Sequence, residues 1–291
     1  MSRKRIDFEL RIINLIKLPP AKLIANAGIR ELGILLNDYS YIRQNNLEIR
    51  YVEGFEKHLD LTLTVFKKSY DFLARFFSRE IKDPLRLILV PDRKEYDRLV
   101  IKLLGVDIET PSNPGRLAQP QKTDLVFLHP SAYDRHSSYV FCPDEYTRLI
   151  RHELTHVFEE YLAPDIESSP RWWSEGLAVF LSRQWQYADQ FAFRQPVLEG
   201  IEQNKLPDLT AIQNDIGLAY DWGWTLVIYI YFTEGGSRIV EIVKELDFSQ
   251  ADIIKELSSS QEQLELNWQE WLLTRGKKII CPAADNFNFF C

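Results

Sequence analysis

Apolar positions change their spacing along the chain, and that change is the first guide to architecture. "LEIRYV" (47–52) alternates apolar and polar residues almost perfectly, which predicts a strand. "LRLILV" (85–90) reads as a second strand, stopped by Pro91, and "TDLVFLHP" (123–130) as a third. A helix rich in Leu, Phe and Tyr is expected around 55–78, and a shorter one over 95–105, closing at Gly105. Residues 1–45 read as helical, anchored by Leu23, Ile24, Leu32, Leu35 and Leu36 and broken by "LPP" at 18–20. "DIETPSNPGRLAQPQK" (107–122) is turn chemistry throughout and predicts a long loop. From Pro170 onward nearly everything reads as helix, including 237–246, 249–257 and 261–274. "TLVIYIYF" (225–232) suits a buried strand as well as a buried helix. The sum is an α+β fold: a small mixed sheet with helices, then a mostly helical half.

Composition narrows the class. At 291 residues the chain can bury a proper core, and its 45% hydrophobic and 26% charged residues are those of a globular protein. A net charge of −7 argues against general affinity for nucleic acid or anionic lipid. The N-terminus starts basic, but Asp7, Glu9, Arg11 and Lys17 interrupt any signal-peptide core. The longest apolar run, 226–232, is too short to span a bilayer, so membrane insertion is not expected. Three cysteines, with Cys281 and Cys291 both in the tail, do not make a disulfide framework. A cytoplasmic protein is the simplest expectation, with a tail disulfide the open alternative.

The chemistry concentrates in "LIRHELTHVFEEYL" (149–162). On a helical wheel Tyr146, Ile150, Leu154, Val157 and Tyr161 form one apolar stripe, while Pro143, Asp144 and Glu145 suit a first turn. His152 and His156 then lie one turn apart, with roughly 40° of offset and about 6 Å of rise. Two imidazoles so placed can reach one tetrahedral zinc. Glu153 leaves the helix between them and the stripe, where it can approach a water without binding the metal; this is the H-E-x-x-H arrangement. The blander reading is two half-buried histidines on an amphipathic helix.

A catalytic zinc wants a third protein ligand. "SSPRWWSEGLAVFLS" (168–182) offers Glu175, 19 positions after His156, on a helix expected to start with Ser169 as N-cap and Pro170 at its first position. Gly176 inside that helix should cost about 1 kcal/mol relative to alanine. Close approach to the H-E-x-x-H helix would offset it. Alone, Glu175 could equally be an exposed first-turn glutamate.

HELTH followed by the glutamate of "WWSEGLA" resembles the gluzincin metallopeptidases, specifically the peptidase MA-like group. The W-x-x-E-G-x-A pattern is similar to the third-ligand helix of the aminopeptidase N type. The resemblance extends over residues 46–275, through "LEIRYVEG", "LRLILVPD" and the terminal "SQADIIKELSSSQEQLELNWQEWLL". It implies a zincin-like catalytic domain there: 46–163 carrying the sheet and active-site helix, 164–275 the helical half. Residues 1–45 would be a helical extension and 276–291 a tail.

The resemblance further implies one Zn2+ per chain on His152, His156 and Glu175, Glu153 as general base, a peptide or protein substrate, and hydrolysis of the peptide bond. It also implies that the strand over 124–129 binds substrate backbone as an exposed sheet edge. No G-x-M-E-N-like stretch precedes HELTH, and Val179 stands where a thermolysin-type site would carry aspartate. Free-amine recognition is therefore not expected, and an endopeptidase is favoured. Tyr220 in "GLAYDWGW" is the candidate oxyanion donor, with packing as its other reading and Tyr229 and Tyr231 as alternatives. Two other functions compete: a catalytically silent zinc-binding or regulatory protein, and a zinc hydrolase of a non-peptide amide or ester. His129, His136 and Cys142 match no zinc spacing and read as solvated loop residues, while Trp172 and Trp173 read as core.

Overall fold

The computed structural model describes residues 36–163, 169–186, 193–245, 250–258 and 260–280. The helices expected before residue 36, and Cys281 and Cys291, lie outside the described residues. The described chain divides into two compact units. The first comprises 36–71 with 80–153, and the second 72–79 with the described residues from 154 onward; the division falls inside one continuous helix.

The first unit is built on a five-stranded mixed sheet in the order β1-β2-β3-β5-β4. Its strands are β1 (Tyr39–Gln44), β2 (Leu47–Val52), β3 (Leu85–Val90), β4 (Ala118–Gln121) and β5 (Asp124–Leu128). The strands expected at 47–52 and 85–90 form over those residues. Central β3 pairs in parallel with both β2 and β5, and Leu85, Leu87, Ile88, Leu89 and Val90 are all buried. An unbroken apolar run is what a strand covered on both faces requires.

Two strands depart from expectation. Tyr39–Gln44 is strand rather than helix, pairing antiparallel with β2 across the tight turn at Asn45 and Asn46. Asn45 sits at φ 54°, the left-handed conformation that asparagine tolerates and a two-residue hairpin demands. The long loop over 107–122 ends in β4, which pairs antiparallel with β5. Pro120 disguises it, since proline is tolerated in an edge strand but not a central one. This also corrects the expected edge. β5 lies between β3 and β4, and the sheet ends at β4.

Helix α1 (Leu59–Phe76) and helix α2 (Arg93–Lys102) come after β2 and β3 respectively. Asp92 caps α2 by accepting from the Glu95 amide at 2.9 Å. Arg93 is buried on α2, and its guanidinium donates to the carbonyls of Arg116 and His136 and to Ser112 Oγ. A buried cation must be satisfied by acceptors. Here the acceptors are the loops leading to β4 and toward the next long helix, so one side chain ties both down. That helix, α3 (Pro143–Leu162), has Asp144 and Glu145 in its first turn and buries Tyr146, Ile150, Leu154 and Val157, while Tyr161 is half-buried. Tyr146 shares a 3.1 Å hydrogen bond with Thr62 of α1.

The second unit is helical among its described residues. Its longer helices are α4 (Arg171–Ser182), α5 (Arg194–Gln203), α6 (Leu209–Asn214), α7 (Ile216–Glu234), α8 (Gly236–Glu245), α9 (Gln250–Leu257) and α10 (Gln261–Trp271). The ambiguous stretch 225–232 is helix, part of α7, which Asp215 caps through the Leu218 amide. Ala219, Trp222, Gly223, Trp224, Leu226, Val227, Ile228 and Ile230 of α7 are buried. A helix covered on nearly all sides has no polar face to betray its period. The α+β order of sheet first and helices after is thus realised.

Helix α4 meets α7 through two glycines. A β-carbon on Gly176 would fall 2.6 Å from the Gly223 carbonyl oxygen and 2.8 Å from the Trp224 amide nitrogen. One on Gly223 would strike the Trp172 carbonyl oxygen and fall 3.0 Å from its carbon. The partner that justifies Gly176 is therefore α7, not the H-E-x-x-H helix. Trp172 and Trp173 are fully buried core, as expected. The α4 start shifts by one residue: Pro170, not Ser169, is its N-cap, with no side-chain capping bond.

Candidate metal centre

Helix α3 presents His152 and Glu153, both buried, and His156, half-buried one turn further on. Because all three stand on one helix, their relative positions follow from its regular pitch. Glu175 is half-buried on α4 and reaches His156: its Oε2 lies 3.7 Å from His156 Nε2. Two donors on one tetrahedral zinc stand about 3.3 Å apart, so this pair needs little adjustment. One donor atom each from His152, His156 and Glu175 can be chosen so that all lie within 4.8 Å of one another. The donor set of two imidazoles and one carboxylate is that of a three-ligand catalytic zinc, and it fits such an ion.

The other face of His156 is also engaged. Its Nδ1 lies 3.2 Å from Ser174 Oγ and 3.4 Å from Glu159 Oε2, and Ser174 Oγ donates to that same carboxylate oxygen at 3.1 Å. Glu159 has no solvent exposure. Burial opposes a charged His156 ring, but hydrogen bonds and charge from Glu159 and Glu175 prevail and hold its pKa well above the ordinary histidine value. Burial pushes Glu159 up as well, with His156 and Ser174 pulling it back. Both directions say that the cluster holds a proton tightly. Sequence reasoning passed over Glu159 and Ser174. Their signal was there: Glu159 comes three residues after His156, on the same helix face, and Ser174 directly precedes Glu175.

The buried phenols of Tyr96 and Tyr133 have pKa values raised first by burial and further by neighbouring charges that include Glu153. Neither hydroxyl has a hydrogen-bond partner among the described residues.

Tyr220 is half-buried in the second turn of α7, its ring stacked on Phe193 with centroids 6.1 Å apart. Gly223, one turn on, is the residue that meets α4. Tyr229 packs against Trp271, and Tyr231 against Phe180. His129 is not solvated. It is fully buried between Phe55 and His58, accepts from the Ser131 amide, and is pushed down to about 4 by burial and by His58. It joins no metal-binding group among the described residues.

The chain matches no protein-family model and no curated protein. Among solved structures it is similar to an M1 zinc metallopeptidase from Deinococcus radiodurans, at 14% identity and a TM-score of 0.46, over 80% of this chain and 50% of that one. A two-domain M1 zinc metallopeptidase variant bound to L-arginine is similar at 14% identity and a TM-score of 0.45, over 79% of this chain and 51% of that one. The chain thus spans about half the length of these structures. Among the described residues no helix is long and apolar enough to cross a membrane.

Proposed function

We propose that the protein is a zinc-dependent peptidase, acting as an endopeptidase, with one zinc per chain on His152, His156 and Glu175. The observation that carries this is the convergence of those three side chains, from two helices, with Glu153 beside them on α3. A zinc held there would supply a Lewis acid for the scissile carbonyl and would lower the pKa of its bound water toward 7.

The chain's own residues do the rest. Glu153, adjacent to a ligand histidine but not itself in the ligand group, accepts the proton of the attacking water and returns it to the leaving amine. Its burial strengthens its electrostatic role. Tyr220 is the oxyanion donor of this reading, because it stands one turn from the residue that locks α7 to the Glu175 helix. Pairing with substrate backbone falls to β4, the edge strand that neighbours β5.

The test is elemental analysis of metal-replete protein together with a peptide-library cleavage screen. About one zinc per chain and chelator-sensitive cleavage are expected. No zinc, or unchanged metal content in His152→Ala and Glu175→Ala, would remove the reading. A silent zinc-binding protein is the second reading; it has no use for a proton acceptor at position 153. Cleavage of amide or ester substrates but no peptides would favour a hydrolase of another class.

A further inference from the structure

We infer that Glu159 and Ser174 form a positioning pair for the metal centre, holding His156 with its proton on Nδ1 so that Nε2 is the atom offered to the metal. The inference rests on the zinc reading above and extends it to two residues outside the ligand set.

Direction comes from the two faces of the ring. Nε2 looks toward Glu175 Oε2 at 3.7 Å, while Nδ1 looks toward Ser174 Oγ at 3.2 Å and Glu159 Oε2 at 3.4 Å. Ser174 spends its own proton on Glu159. Its oxygen is then left as an acceptor for Nδ1–H, and the carboxylate terminates the chain of donors. A proton on Nδ1 satisfies all three groups, whereas a proton on Nε2 would turn a lone pair of Nδ1 toward acceptors.

Burial strengthens the case. Glu159 is wholly inside the protein, and its Oε1 has no hydrogen-bond partner among the described residues. An amphipathic helix does not place a carboxylate there for packing, since taking a charge out of water is unfavourable unless partners compensate. Its partners here are the ligand histidine and the residue preceding the ligand glutamate. A carboxylate behind a ligand imidazole fixes its tautomer and raises its basicity.

Two measurements test this. Competition with a chromophoric chelator reads zinc affinity, and Glu159→Gln should weaken it about 10- to 100-fold while far-UV circular dichroism and the metal-free melting midpoint stay near wild type. Ser174→Ala should act in the same direction. Nitrogen-15 NMR of histidine-labelled, zinc-loaded wild type should show His156 protonated at Nδ1 and bound through Nε2. Zinc affinity of Glu159→Gln within about two-fold of wild type would overturn the proposal. So would metal bound through Nδ1, a result that decides the matter even if Glu159→Gln fails to fold. A wild type that takes up no zinc removes the metal reading and this proposal together. A wild type that binds zinc beside an equally avid variant removes only this one.

Discussion

Replacing Glu153 by glutamine trades a proton acceptor for an amide of nearly the same shape. Zinc content should therefore hold at wild-type level, while the hydrolysis rate falls about 10²- to 10⁴-fold. Elemental analysis and a turnover assay on any substrate from the screen check the two halves separately, and activity within a few-fold of wild type would reassign the base. Tyr220→Phe deletes one hydroxyl and little volume. If that hydroxyl donates to the oxyanion, kcat drops on the order of 10²-fold with KM little changed. Tyr229→Phe and Tyr231→Phe serve as controls, since their rings pack against Trp271 and Phe180. A large loss at either, with normal kinetics for Tyr220→Phe, would mean the donor is a different tyrosine. At this scale the candidate metal-binding group was legible because H-E-x-x-H and the later glutamate carry their chemistry in residue type and spacing. For Glu159 the spacing from His156 was legible but the burial was not: in "VFEEYL" it looks like any helix-surface glutamate, and only the folded chain shows it fully buried.

Elements were legible in proportion to how sharply their two faces differ. Strands β2 and β3 and helix α3 carry clean patterns and form where expected. α7 left helix and strand undecided because its buried residues surround it. β1 and β4 hid behind asparagine and proline, residues that mark turns but also suit a hairpin corner and a sheet edge. The α4–α7 contact gives a prediction at this scale. Gly176→Ala would place a methyl group 2.6 Å from a carbonyl oxygen of backbone that cannot rotate away, so the helices must separate. Overpacking of this kind costs roughly 1–3 kcal/mol or more. Urea unfolding should show that loss, and chelator competition should show weaker zinc binding as Glu175 moves with α4. An unchanged denaturation midpoint would mean the contact is looser than it looks.

At the scale of the whole molecule, metal and pH should govern stability. A ligand that binds only the folded state adds about 2.7 kcal/mol when present at a hundred times its Kd. Chelation should therefore lower the melting midpoint, and zinc, not magnesium, should restore it. His129 sets an acid limit of its own. Its folded pKa of about 4 lies below the unfolded value near 6.5, so the unfolded chain binds more protons between those values. The contribution is fully present above about pH 6.5 and drains away as pH falls toward 4, roughly 3 kcal/mol in all. Metal-free His129→Gln should accordingly lose stability less steeply than wild type across that window in urea titrations. Equal slopes would show that His129 is not what the acid limb reports.

Gly176 and Gly223 also bear on how this sequence can change over generations. Most tight contacts leave an escape, because enlarging one side chain can be answered by trimming its neighbour. Here both neighbours are already as small as an amino acid can be, and each would strike main chain rather than side chain. A selection for revertants of Gly176→Ala should therefore return true reversions or distant changes that let α4 slide, and none at position 223. The expected consequence is that neither position drifts alone, and that the two glycines change only together with the path of the helices that carry them.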